Sequence, residues 1–258
     1  MKVKLIAHTP DPEKVIATAA KLCYSSSDIE SLMEGLTPEK TEKFLDMLFN
    51  LGHESPIEHV SFTFAIEGIS RACSLQLVRH RIASYSQKSQ RYVNETQFEY
   101  VIPDAIASDE IVNDIYVDTM QMLQQRYDAI RAKLINNYVK DCMDEKAAEK
   151  KANEDARMVL PNACQTSIIV TMNVRSLFNF FKLRCCNRAQ WEIRELAIEM
   201  YKLCENVAPN IFKHTGPSCV STGKCSEGKM TCGKAEEVRD RFDNIRLTNS
   251  LDKFEEGN

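Results

Sequence analysis

Glycine is scarce in this chain: there are eight among 258 residues, and only Gly35, Gly52 and Gly68 precede residue 216. No G-x-G-x-x-G run exists, so any bound phosphate must be held by side chains and not by a glycine-rich backbone cradle. The one look-alike of a phosphate loop, Gly228-Lys229-Met230-Thr231-Cys232-Gly233-Lys234, carries Ala235 where the metal-binding Ser or Thr has to stand, and no strand precedes it. Long apolar runs are lacking too. None approaches the roughly 20 residues that cross a bilayer, and the apolar part of the opening MKVKLIAHTPDPEK is too short for a secretory signal. No membrane partner is expected. A cytoplasmic location follows, and there the ten cysteines are thiols and not a disulfide framework. With 43% hydrophobic residues, 27% charged residues and a formal net charge of −4, the composition is that of an ordinary globular protein. It excludes one that captures nucleic acid by overall basic charge.

Hydrophobic spacing sets the elements. Lys2–His8 reads as a strand, and Asp11-Pro12-Glu13 opens a helix to about Tyr24. Thr37-Pro38-Glu39 supplies the cap, first-position proline and first-turn acid of a second helix, with Phe44, Leu45, Leu48 and Leu51 on its apolar side and Gly52 ending it. His59–Glu67 alternates as a half-buried strand, and Ser70–Arg81 returns to helical spacing. Tyr116, Met120, Leu123, Tyr127, Ile130, Leu134 and Tyr138 mark a long amphipathic helix. A charged helix runs to about Val159, stopped by Pro161. Thr166–Val174 is a strand, and Arg175–Arg184 and Ala189–Ala208 are helices. The last 43 residues hold five of the eight glycines and three of the ten cysteines, which marks a separate small element or a partly flexible tail. There is no internal repeat.

The acids are also missing from two places. None occurs between Glu67 and Glu95, where Arg71, Arg79, Arg81, Lys88 and Arg91 stand, nor between Asp155 and Glu192, where Arg157, Arg175, Lys182, Arg184 and Arg188 stand. Solvated faces mix signs. Either these cations pair with acids from other elements, or they serve an anionic ligand. Arg79-His80-Arg81 at a helix end, followed by Ser84, Ser86, Gln87, Ser89 and Gln90, offers the mixture of charge and directional donors that phosphate needs. A basic loop touching RNA stays open, although only Tyr85 and Tyr92 could stack on bases.

Arg79-His80-Arg81, seven residues, Ser89, one residue, Arg91 resembles the signature of the flavin-dependent thymidylate synthases. Gly52-His53-Glu54-Ser55-Pro56-Ile57-Glu58-His59, Ala156-Arg157-Met158-Val159-Leu160-Pro161 and Asn173-Val174-Arg175-Ser176-Leu177-Phe178-Asn179-Phe180 agree with it in order and spacing, as do Leu183-Arg184 and Ala189-Gln190-Trp191-Glu192-Ile193. The resemblance implies one mixed α/β (α+β) domain over residues 1–212, long helices packed on a central sheet, and a Cys- and Gly-containing tail over 213–258. It implies an enzyme that moves the methylene of 5,10-methylenetetrahydrofolate to C5 of dUMP, with FAD as hydride carrier and NADPH as its reductant, in a homotetramer with shared sites. Carried over residue by residue, it places Ser55, Arg79, His80, Arg81, Gln87, Asn173, Val174, Arg175 and Asn179 at FAD. It places Gln76, Leu77, Val78, Arg79, Gln87, Lys88, Ser89, Gln90, Arg91, Arg157 and Arg184 at dUMP. His53 would position substrate. Arg184 would stabilise negative charge on the uracil, with Ser89 a phosphate donor and not a nucleophile.

Two positions depart from the family pattern. Gln87 stands where some relatives carry Glu, and Arg188 where relatives often have His. No metal is expected: His53, Glu54, Glu58 and His59 lack the spacing of a zinc helix. His214, Cys219, Cys225 and Cys232 are residue types that zinc favours, but their spacing lacks the paired C-x₂-C knuckle. Cys185 and Cys186 are adjacent and so point different ways on a helix; a packed thiol pair is the plainer reading.

Overall fold

The computed structural model describes residues 1–92, 95 and 97–256. Strand β1 (Lys2–His8) leads to helices α1 (Pro12–Leu22), α2 (Ile29–Glu34) and α3 (Pro38–Asn50) and a 3₁₀ turn (Ser55–His59). Strand β2 (Ser61–Ser70) passes directly into α4 (Arg71–Leu77), and β3 (Ser84–Gln87) follows. Next come α5 (Asp104–Ala107), α6 (Glu110–Lys140), α7 (Glu145–Ala156), a 3₁₀ turn (Arg157–Val159), β4 (Gln165–Asn173), α8 (Val174–Arg184) and α9 (Trp191–Val207). The chain ends in α10 (Pro209–Phe212), α11 (Ser218–Ser221), a 3₁₀ turn (Gly228–Met230) and α12 (Ala235–Glu256). The strands lie in the order β1-β2-β4-β3. The N–H of Val174 bonds the carbonyl of Val60 and that of Arg71 bonds the carbonyl of Cys164, both at 2.9 Å, so β2 and β4 run antiparallel. This is the mixed helix-and-sheet class that the sequence implied.

Two compact units divide the chain, with boundaries inside β2 after Ile66 and inside β4 after Ile168. The first comprises Met1, Glu67–Gln76 and Ser86–Ile168. Its pair α6 and α7 is built on small residues: Ala148, Ala152 and Ala156 recur every four positions of α7 and are fully buried, as is Tyr127 of α6. Such a stripe lets two helices approach closely. Of the expected α6 stripe, Met120 and Tyr127 are buried, whereas Ile130 is 38% exposed.

The second unit comprises Lys2–Ile66, Leu77–Tyr85 and Ile169–Asn258. Phe62, Phe64 and Ile66 point to one side of β2 and are buried, as their alternation predicts. Phe181 of α8 meets Tyr201 of α9 edge-on at 5.6 Å, and Phe242 of α12 lies 4.6 Å from the same Tyr201 ring. Val238, Phe242 and Ile245 are buried and spaced four and three apart, so α12 has one narrow apolar edge. Arg246 fixes it by donating from Nε to the Tyr201 hydroxyl at 3.2 Å and from a terminal nitrogen to the Lys213 carbonyl at 3.0 Å. The last two residues of the 213–258 tail, Gly257 and Asn258, lie outside the described ones.

The expected helix Ser70–Arg81 is shorter than its spacing indicated. The strand takes Ser70, α4 ends at Leu77, and Arg79–Arg81 fall in the turn beyond it. No helix among the described residues is long and apolar enough to cross a membrane.

Candidate functional site

In the second unit, the turn that follows Leu77 meets the end of α8. Tyr85 donates its hydroxyl to the carbonyls of Leu77 (2.9 Å) and His80 (2.8 Å), which ties the turn carrying Arg79, His80 and Arg81 to β3. Burial pushes the Tyr85 hydroxyl up to about 12, keeping it a donor. Arg184, the last residue of α8, donates from Nε to Nε2 of His80 at 3.2 Å. That bond needs an unprotonated Nε2, and burial together with the Arg184 charge depresses His80 to about 4. The ring of Phe180 stands perpendicular to the imidazole, with centroids 4.9 Å apart. The guanidinium therefore rests on a neutral partner, with no carboxylate among the described residues within ion-pair distance.

The beginning of α8 is built differently. Asn173 caps it, its Oδ1 accepting the N–H of Ser176 at 2.9 Å. Val174 is buried, while Arg175 is exposed and bonded to Glu58 and, at 3.4 Å, to Glu54. Ser55, Arg79, Arg81 and Asn179 are exposed. Ser55 borders a cavity of about 330 Å³ with His53, Glu54, His59, Cys23 and Tyr24.

The first unit holds the remaining candidates. Gln87 donates its amide to Ser74 Oγ (2.9 Å) and Thr166 Oγ1 (3.3 Å). Arg71 reaches the same Thr166 hydroxyl and the Lys88 carbonyl, both at 3.3 Å. An amide can donate to both hydroxyls, which a carboxylate could not; the departure at position 87 is thus accommodated locally. Lys88 pairs with Glu95 at 3.5 Å. Ser89 Oγ accepts the N–H of Arg91 at 3.2 Å. Gln90 is buried, with its amide on Cys164. Arg91 pairs with Glu154 at 2.8 Å, but its Nε is buried with no hydrogen-bond partner among the described residues. Arg157 donates from Nε to the Glu154 carbonyl at 3.1 Å, and Gln76 is half-buried.

The sites named from the sequence therefore fall into two sets. Leu77–Arg81, Ser55, Asn173–Arg175, Asn179 and Arg184 belong to the second unit, and Gln76, Gln87–Arg91 and Arg157 to the first. Of the ten cations in the acid-free stretches, Lys88, Arg91 and Arg175 have carboxylate partners. Among the described residues Arg71, Arg79, Arg81, Arg157, Lys182, Arg184 and Arg188 have none within ion-pair distance. Pairing with distant acids explains the minority. Sequence reasoning missed Ser74, Glu154 and Thr166, whose polar contacts fix the candidates, and read Tyr85 only as a residue that could stack on bases. Only Tyr85, inside the signature block, carried a local signal.

The tail's zinc-favoured residues separate. His214 bonds Asp46 through Nε2 at 2.9 Å and stacks on Phe49 at 4.5 Å, and it does not line the hollow where Cys219, Cys225 and Cys232 come together. Cys186 does. Cys185 is fully buried, so the two adjacent thiols do face different surroundings.

A donor set of unpaired guanidiniums, amides and hydroxyls fits an anionic dinucleotide and a nucleotide monophosphate. A family model described as "Thymidylate synthase complementing protein" matches residues 4–210. The flavin-dependent thymidylate synthase of Clostridium tetani is 58% identical over 239 residues, covering 93% of this chain and 96% of its own. That of Geobacter sulfurreducens is 52% identical over 244 residues, covering 94% and 98%. Among solved structures, the flavin-dependent thymidylate synthase ThyX from Helicobacter pylori, complexed with FAD and dUMP, is similar at a TM-score of 0.60 and 25% identity, covering 84% of this chain and all of that one. The chain belongs to the flavin-dependent thymidylate synthase family.

Proposed function

We propose that this chain makes dTMP by reductive methylation of dUMP, with 5,10-methylenetetrahydrofolate as carbon donor, FAD as cofactor and NADPH as reductant. The observation that carries the assignment of roles is the Arg184–His80 pair: a full positive charge fixed at a helix end against a neutral imidazole. C5 of uracil is a weak nucleophile. A guanidinium facing the N3/O4 edge stabilises negative charge as N3 gives up its proton, and C5 becomes electron-rich without attack by an enzyme nucleophile. Bound FAD, once reduced, supplies the hydride that completes the methyl group. Arg79, Arg81, Ser55, Asn173–Arg175, Asn179 and Gln87 hold the flavin. Because Asn173 Oδ1 is occupied as a cap and Val174 is buried, their contribution is through the backbone or through the placement of Arg175.

For the nucleotide, Arg91 and Ser89 take the phosphate, with Gln76, Gln87, Lys88 and Arg157 around it. The unpartnered Nε of Arg91 supports this role. Leu77 and Gln90 are buried and Val78 half-buried, which leaves them peptide groups to offer. Residues 1–212 carry the synthase and 213–258 form an appended segment. A homotetramer with shared sites is supported by α6, which exposes Ile111, Ile115 and Met122 in its N-terminal half. The enzyme works in the cytoplasm.

Release of tritium from C5-labelled dUMP, dependent on FAD, NADPH and methylenetetrahydrofolate together, tests the reaction. Release without flavin, or none with all components present, overturns it. Arg91→Ala should weaken dUMP binding about 10- to 100-fold, the worth of a charged hydrogen bond, with flavin content unchanged; equal affinity in a dUMP titration removes Arg91 from the phosphate site.

A further inference from the structure

Four of the chain's thiols converge on one hollow in the second unit. Cys186 follows α8, Cys219 belongs to α11, and Cys225 and Cys232 flank the 3₁₀ turn Gly228–Met230. With Arg188 and Glu227 they line a space of about 20 Å³, enough for one or two water-sized spheres. Every residue from Ser221 to Thr231 is exposed, so this segment buries no core of its own. A segment without a core of its own needs a staple, and cysteines bracket this one.

We infer that Cys186, Cys219, Cys225 and Cys232 form a four-thiolate site for one soft divalent cation of the zinc type. Among the described residues no three such side chains already stand in a ligand set, although the four cysteines line one hollow. Closure falls to the loop. Gly223 and Gly233, beside Cys225 and Cys232, have φ of 71° and 72° and nothing within 4 Å of an added Cβ, so no packed atom stands against an adjustment at either glycine. On binding, each thiol releases its proton to solvent and four sulfur–metal bonds form with no change in oxidation state. Four thiolates around a dication leave a net charge of −2, and Arg188, which has no carboxylate partner, lies at the rim to offset part of it. The site joins Cys186, just beyond the end of α8, to three thiols of the tail.

The full chain, purified anaerobically in reductant, should contain about one zinc per chain, with X-ray absorption showing four sulfurs at about 2.3 Å. Cys219→Ser and Cys232→Ser should lower zinc at least about tenfold with FAD content unchanged, whereas Cys23→Ser should leave it intact. Zinc below about one-tenth per chain, both as isolated and after anaerobic incubation with zinc chloride, overturns the inference. So does nitrogen or oxygen ligation, undiminished zinc in the two variants, or a disulfide among these cysteines in the anaerobic protein. The absorption spectrum needs no variant and decides the matter even where a serine variant fails to fold.

Discussion

Helix α8 carries an arginine at each end, and the two are treated in opposite ways. Arg175 stands in the first turn, where the helix dipole disfavours a cation, and two carboxylates at the distant 3₁₀ turn before β2, Glu54 and Glu58, offset it. Arg184 stands in the last turn, where the dipole favours a cation, and among the described residues no carboxylate lies within ion-pair distance of it; its partner is a histidine kept neutral by burial. The first arginine is neutralised at the surface. The second is held in place with its charge unused. The same residue type nine positions later thus serves a different purpose, and what separates the two is the partner and not the arginine.

That contrast can be broken by substitution. The largest effect is expected for Arg184→Ala, which should lower turnover about 100- to 1000-fold, the scale for removing one fixed donor aimed at developing charge, while flavin content is kept. Loss of flavin with normal turnover by the remaining holoenzyme would contradict the role. Asn173→Ala, which uncaps the helix between the two arginines, should cost about 1 kcal/mol of stability in a denaturant titration. A cost near zero would mean that the N–H of Ser176 finds another acceptor.

The histidine sharpens the comparison by pH. His80 is depressed from about 6.5 in the unfolded chain to about 4 in the fold. Between those values the unfolded chain binds the extra proton, so the stability due to a neutral His80 is full above pH 6.5 and is lost as pH falls towards 4. His80→Gln keeps an acceptor for Arg184 and should flatten this part of the stability profile relative to the parent. Identical profiles would mean that the imidazole is not shielded. Arg175→Gln has the smallest expected effect. It should weaken FAD about threefold, as befits an exposed and already paired charge; a loss matching that of Arg184→Ala in turnover would erase the distinction between the two ends.

Much of the frame was legible in the sequence because it obeys simple periodicity. β1 and the α3 start at Thr37-Pro38 follow from alternation and capping. α2 was not, since its six residues bury nothing and leave no apolar pattern to find; only the Asp28 cap, accepting the N–H of Ser31, marks it. β3 was hidden by its composition, because Ser84-Tyr85-Ser86-Gln87 reads as a turn. In the tail, composition drew attention from the spacing of Val238, Phe242 and Ile245, which does spell a helix. The candidate site was visible as two acid-free stretches and one signature. Which cations stay unpaired was not, because Glu54, Glu58, Glu95 and Glu154 reach them from elements whose approach no local pattern records. Nor could sequence order show that Cys186, and not His214, shares a hollow with the tail's thiols.

Each compact unit also seals sulfur away from water. Cys73 and Cys164 are buried in the first, Cys185 and Cys204 in the second, and burial pushes Cys164 up to about 11 and both Cys185 and Cys204 upward as well. A buried, protonated sulfhydryl is inert to alkylation until its surroundings open. Brief pulses of an alkylating reagent, read peptide by peptide in a mass spectrometer, would therefore time the breathing of either half of the molecule with native reporters and no added label.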